Sequence, residues 1–137
     1  MYQKKNRPLK IAILGRDIYT NKLKIKNFIY KFKLRGDDVV IIGTGSKTRF
    51  GKLVKDISLE FNLKYGEFLL PHDSYSMYCI LPYKYYDKIY HDNNVSIRNN
   101  LIAKICDIFI FFGDTDKSID SIKTTVIKRD KKIINLH

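Results

Sequence analysis

Three short apolar runs in this chain each end on a glycine. They are Lys10-Ile-Ala-Ile-Leu14 before Gly15, Val39–Ile42 before Gly43, and Ile108–Phe112 before Gly113. Four or five consecutive apolar residues are too few for a helix. Being apolar throughout rather than alternating, they read as strands buried on both faces. Between the first two, Ile25, Phe28, Ile29 and Phe32 recur at helical spacing, with Gly36 as the stop. Leu53, Val54, Ile57 and Phe61 mark a second helix. A strand over Tyr65–Leu70, closed by Pro71, follows it. Strand, helix, strand, helix, strand requires right-handed crossovers, and so an α/β three-layer sandwich.

The second half restores this rhythm after an interruption. Residues 72–97 carry six of the ten tyrosines (Tyr75, Tyr78, Tyr83, Tyr85, Tyr86 and Tyr90) together with His72, His91, Met77, Cys79 and Pro82. A long aromatic connection of this kind reads as a ligand lid or an oligomer surface, or as a plug on the sheet edge. A short helix is expected over Arg98–Ile105, opened by Arg98 and Asn99, ahead of the Ile108–Phe112 strand. Ile119, Ile122, Val126 and Ile127 mark a last helix, and Lys132–Leu136 a fifth strand. The expectation is one domain over 1–137 on a mainly parallel five-stranded sheet, with a basic leader at 1–8 and an aromatic insertion at 72–97.

Charge is unevenly spread. Residues 1–35 hold eleven Lys/Arg against Asp17 alone, out of a formal net charge of +12 for the chain. Such a block attracts nucleic acid, an anionic membrane or a phosphorylated ligand, or serves solubility alone. No apolar run approaches the ~20 residues of a membrane span, and no apolar segment follows the basic start as a secretory signal requires. Cys79 and Cys106 are too few for a disulfide framework, so the reading expects a cytoplasmic protein with no membrane partner.

In an open parallel sheet a ligand binds beyond the carboxyl ends of the strands, where the strand order reverses. Gly15-Arg16-Asp17, Gly43-Thr44-Gly45-Ser46 and Gly113-Asp114 are the loops expected there, with Arg98 and Asn99 facing the same side. A glycine turn running into a helix offers close backbone approach and unpaired N–H groups, which hold phosphate well. Gly-Thr-Gly-Ser is neither the full dinucleotide fingerprint nor a Walker loop. His72, His91 and His137 show no metal-ligand spacing, so no metal and no cofactor is expected. Neither cysteine sits in an activating motif, and there is no nucleophile elbow. Asp17, Asp114, Asp116 and Asp120 are the acids near strand ends.

The order of Gly15-Arg16-Asp17, the Gly-Thr-Gly-Ser turn, Arg98-Asn99 and the Ile108–Phe112 strand resembles the YspA-like branch of the SMF/DprA–LOG (SLOG) superfamily over nearly the whole chain. The aromatic segment and its Pro71-His72 start are similar to phage and bacterial members, and the Lys-, Ile-, Asn- and Tyr-heavy composition suits an AT-rich genome. The resemblance implies a Rossmann-like sheet that binds nucleotides or nucleotide-derived molecules. In that reading Thr44, Gly45 and Ser46 hold phosphate with Lys47 and Arg16, Asp17 or Asp114 holds ribose, and Arg98 and Asn99 complete the pocket. The turn here lacks the branch's trailing Gly and Asp, and the last loop, Asp114 to Ser121, lacks its Gly-Thr. The Pro-Gly-Gly-x-Gly-Thr-x-Glu of the base-cleaving LOG enzymes is absent; only Arg98 matches their Arg-Lys motif. Three functions therefore stay open. The first is binding of a nucleotide-like small molecule. The second is a nucleotide N-glycosidase using Asp114 or Asp120 with Arg98. The third is nucleic-acid binding through the basic N-terminal quarter, with tyrosines stacking on bases. A homo-oligomer is compatible with each.

Overall fold

The computed structural model describes residues 8–17, 19, 21–36 and 38–136. Apart from Pro8, the expected basic leader lies outside them. The described elements run β1 (Leu9–Gly15), α1 (Lys22–Arg35), β2 (Val39–Gly43), α2 (Arg49–Glu60), β3 (Lys64–Glu67), a 3-10 turn (Tyr83–Tyr85), α3 (Asn94–Ile105), β4 (Ile108–Phe112), α4 (Lys117–Lys128) and β5 (Lys132–Leu136). The sheet order is β3-β2-β1-β4-β5, and every pairing is parallel. This is the α/β, Rossmann-like three-layer sandwich expected from the sequence.

Because side chains alternate along a strand, each central strand feeds both layers. Ile11 and Ile13 of β1, with Ile110 and Phe112 of β4, pack against Ile25 and Ile29 of α1 and against Phe50, Val54 and Ile57 of α2. Ala12, Leu14, Phe109 and Phe111 point the other way, onto Ile102 and Ala103 of α3 and Ile119, Ile122 and Val126 of α4. Continuous apolar strands result because both faces are covered. The stripe on α1 is used as its spacing indicates, Asn21 capping the helix through Lys24 N–H (3.1 Å) and Gly36 closing it in the left-handed conformation.

Two boundaries differ from the sequence expectation. The strand expected over 65–70 ends at Glu67, since Phe68 to Leu70 turn away from the ladder after Phe68 N–H reaches the Gly43 carbonyl (2.9 Å). Residues 78–80 then lie alongside β3: Glu67 N–H donates to Tyr78 O (3.0 Å) and Ile80 N–H to Glu67 O (3.2 Å). Part of the aromatic segment thus covers the sheet edge. The second difference concerns Arg98 and Asn99, which do not open their helix. α3 begins four residues earlier, at Asn94, where Asn-Val-Ser-Ile offers no apolar period to read, and this places Arg98 and Asn99 in its second turn, buried. Among the described residues no helix is long and apolar enough to cross a membrane.

Candidate functional site

Strand order reverses between β1 and β4, so the crevice sits over the loops that follow them. The protein's own side chains occupy much of it. A Cβ on Gly15 would lie 2.6 Å from the Phe50 ring, one on Gly113 would lie 2.7 Å from the Tyr19 ring, and one on Gly45 would lie 2.4 Å from Leu69. Tyr19 packs on both Phe50 and Phe112, with ring centroids 6.0 and 5.7 Å apart. The close approach that the terminal glycines permit is therefore made by these side chains.

Charged residues of the first loop are likewise engaged within the chain. Arg16 Nε lies 4.0 Å from Asp116, which itself caps α4 by accepting Ile119 N–H (2.9 Å). Asp17 accepts the N–H of Arg49, while Thr48 Oγ1 accepts Gly51 N–H (3.0 Å). Two donors at the α2 N-terminus, where a phosphate was expected, thus already face internal oxygens. Asp114 is exposed, and Asp120 accepts a hydrogen bond from Thr115 in the first turn of α4. Thr44 is half-buried and Ser46 exposed, either side of buried Gly45.

Lys47 connects this turn to a different part of the sheet edge. Its ammonium pairs with Asp73, a buried carboxylate whose second oxygen accepts Leu70 N–H (3.0 Å). The backbone of Asp73 also helps close the neck of the aromatic segment: Asp87 N–H donates to Asp73 O (2.9 Å) and Lys88 N–H to Pro71 O (3.0 Å). Residues 71–88 therefore form a closed surface loop, pinned at its base to the turn after β2. Beside it a polar cleft of about 410 Å³ is lined by Ser46, Lys47, Lys55, Glu67, His72 and Asp73. Glu67 is buried there, held by hydroxyl donors from Tyr65 (2.9 Å) and Ser76 (2.5 Å). Burial and the adjacent carboxylate raise the Tyr65 pKa, so its proton stays available to Glu67.

The second cavity is larger and mainly apolar. It measures about 490 Å³ and lies between this loop and α3, with Phe68, Leu69, Tyr85, Tyr86, Ile97 and Leu101 in its walls. Arg98 lines it and is only 8% exposed. Its Nε–H donates to Asn99 Oδ1 (3.0 Å), and Asn99 Nδ2 donates in turn to Ser121 Oγ on α4 (2.9 Å). Asn99 thereby positions the guanidinium rather than reaching the cavity. The terminal nitrogens of Arg98 have no hydrogen-bond partner among the described residues. Burial pulls the Arg98 pKa down from its ordinary value, and the nearby Asp73 charge opposes that pull. Lys84 and Lys88, both exposed, sit among the lining residues with His91 and Asn94.

Of the residues singled out from sequence, the structure brings Gly15, Arg16, Asp17, Gly113 and Asp114 to the switch point. Gly43 to Lys47 lead from there toward β3, and Arg98 stands in the apolar cavity. Asp114 and Asp120 do not line that cavity. Leu69, Asp73, Lys84, Lys88 and Asn94 went unnoticed in the sequence, although Tyr85 and Tyr86 belong to the segment singled out as aromatic. One signal was present in Tyr65-Gly66-Glu67, where an acid shares a strand face with an aromatic residue two positions away. Among the described residues no group of three or more His, Cys, Asp or Glu side chains is placed to hold a metal ion.

No protein-family model matches the chain, and no curated protein matches it in sequence. Solved structures share its fold. DNA processing protein A (DprA) from Streptococcus pneumoniae superposes with a TM-score of 0.69 at 12% identity, over 93% of this chain and 50% of that one. The Moco carrier protein from Chlamydomonas reinhardtii superposes with a TM-score of 0.66 at 16% identity, over 95% of this chain and 76% of that one. The chain spans about half the length of the DprA structure, and at these identities what is shared is the Rossmann-like fold.

Proposed function

We propose that this chain binds a nucleotide or a nucleotide-derived phosphorylated ligand at the carboxyl edge of its sheet, and that it belongs to the SLOG superfamily. The observation that carries the proposal is Arg98, a largely buried cation whose terminal donors have no partner among the described residues, in a cavity walled mainly by apolar and aromatic side chains with Lys84, Lys88, His91 and Asn94 among them. A volume of about 490 Å³ falls within the ~300–1,000 Å³ of small-molecule sites, which characteristically combine apolar walls with a few fixed polar groups. Lys84 and Lys88 add positive charge where solvent reaches the cavity. Leu69, seated beneath Gly45, is part of its wall, so the Gly43–Lys47 turn contributes shape to the site through its backbone.

Superfamily membership is supported by the likeness to DprA, whose name the superfamily carries, together with the order of the loop motifs. By its name the second neighbour is a small-molecule carrier, and binding without turnover suits the present geometry better than hydrolysis. Neither Asp114 nor Asp120 reaches the cavity, so no catalytic acid is assigned.

Native mass spectrometry of freshly purified protein tests this reading. A retained phosphorylated small molecule, lost in Arg98→Ala, is the expected result. A wild-type protein that carries nothing and shows no thermal shift with any nucleotide would sink it.

A second reading rests on α1, which presents Lys22, Lys24, Lys26, Lys31, Lys33 and Arg35 on one helix; among the described residues, Lys26 pairs with Glu60 (3.3 Å). Nucleic-acid binding through α1 requires an affinity that falls steeply with salt and weakens when Lys22, Lys24 and Lys26 are neutralised.

A further inference from the structure

We propose that the Arg98 cavity selects 6-oxopurines over 6-aminopurines, with Arg98 reading the edge of the ring and Lys84 and Lys88 holding the phosphate at the mouth. This rests on the nucleotide reading above and names its ligand class.

A guanidinium only donates hydrogen bonds. Arg98 uses Nε–H on Asn99, its terminal N–H groups have no partner among the described residues, and it lines a cavity walled mainly by Phe68, Leu69, Tyr85, Tyr86, Ile97 and Leu101. Whatever fills that space displaces the water that reaches those N–H groups and must present acceptors to Arg98, because donors desolvated without a partner are costly. A 6-oxopurine carries O6 and N7 side by side, two acceptors at the spacing of an arginine fork. A 6-aminopurine puts an N–H₂ donor in place of O6 and turns half of that contact into donor against donor. Asn94 supplies the opposite polarity. It is buried, it lines the same cavity, and its Nδ2 is bonded to His72 Nδ1 (2.9 Å), which leaves Oδ1 to accept from ring N–H groups.

Orientation follows from desolvation. Moving a phosphate out of water costs far more than moving a neutral ring, so the ring takes the apolar interior and the phosphate stays where water and exposed lysines reach it. Lys84 and Lys88 are the exposed cations at the cavity, while Arg98 already has the Asp73 charge near it. Neutral ring acceptors complete the Arg98 shell without a second buried anion.

The experiment is calorimetric titration of the full chain with GMP, IMP and AMP at one salt concentration, with thermal shift in parallel. GMP and IMP are expected to bind tighter than AMP by roughly tenfold or more, the discrimination of one bidentate base contact. Arg98→Lys and Arg98→Met, checked for fold by circular dichroism, should bring GMP down to the AMP level and leave AMP little changed. Lys84→Ser with Lys88→Ser should weaken all three alike. Equal affinity for AMP and GMP in the wild-type protein overturns the selection while leaving nucleotide binding intact, and needs no variant. Equal weakening of AMP and GMP by Arg98→Lys overturns it too, since Arg98 would then be holding phosphate. Absence of binding by all three nucleotides overturns the nucleotide reading, and the selection with it.

Discussion

The carboxylate of Asp17 accepts the backbone N–H of Arg49, so the loop after β1 caps a helix that begins thirty-two residues later. Thr48 caps the same helix from its N-cap position, and Arg16, the residue before Asp17, faces the other way with its Nε 4.0 Å from Asp116. Asp17 thus bonds β1's loop to the start of α2, while Arg16 is drawn by charge toward the loop before α4. Replacing Asp17 with Ala removes one cap and should lower the unfolding free energy by about 1 kcal/mol, with Asp17→Asn losing less. Urea titration of the two variants checks this; equal stability of Asp17→Ala and wild type would mean Thr48 suffices.

Gly45 has φ of +105° and stands over Leu69. Any side chain there meets both backbone strain and the leucine methyl at 2.4 Å. Gly45→Ala should destabilise by about 2 kcal/mol or more. Adding Leu69→Ala should recover only the steric part, so the double-mutant cycle will show a favourable coupling and a residual loss. Full recovery would show that backbone strain plays no part.

Asp73 joins three elements through one buried carboxylate: the Lys47 turn, the Leu70 N–H and the charge of Arg98. Asp73→Asn keeps the shape and removes the charge, leaving Arg98 buried without its negative neighbour. Trypsin should then cut the wild-type protein slowly at Lys84 and Lys88 and the variant markedly faster under native conditions, because the neck of the 71–88 loop loosens. Unchanged cleavage would show that the backbone bonds of Asp87 and Lys88 hold the loop alone.

Cys106 is fully buried, and burial pushes its thiol up to about 12 from an ordinary value of 9.0. It therefore carries almost no thiolate at pH 8, whereas half-buried Cys79 is reachable. Native labelling with iodoacetamide should report Cys79, disappear in Cys79→Ser and persist in Cys106→Ser. The sign of the pH dependence follows from the raised value. This group's stabilising contribution is full below about pH 9 and is lost as pH rises toward about 12.

The apolar runs at Lys10–Leu14, Val39–Ile42 and Ile108–Phe112 determined, by themselves, the strands, the layer order and the place where loops gather. Strands covered on both faces must be apolar at every position, and that demand is written in consecutive residues. Helix α1 was equally legible, since one stripe and one glycine stop define it. The start of α3 was not, because its first turn buries a polar residue, Asn94, and leaves Val95, Ser96 and Ile97 exposed, so it carries no apolar period. Nor could the chain's order of residues say what the glycines make room for. Phe50, Tyr19 and Leu69 come to Gly15, Gly113 and Gly45 from separate elements, and only packing brings them there. The same holds for Arg98. Its position in the sequence marked it as a site residue at a helix start. Tertiary structure alone buried it in a helix turn, anchored its neighbour Asn99 to Ser121 on α4 so that Asn99 holds its Nε, and closed an aromatic loop over it, because the Ser121 bond and the loop join residues that chain distance keeps apart.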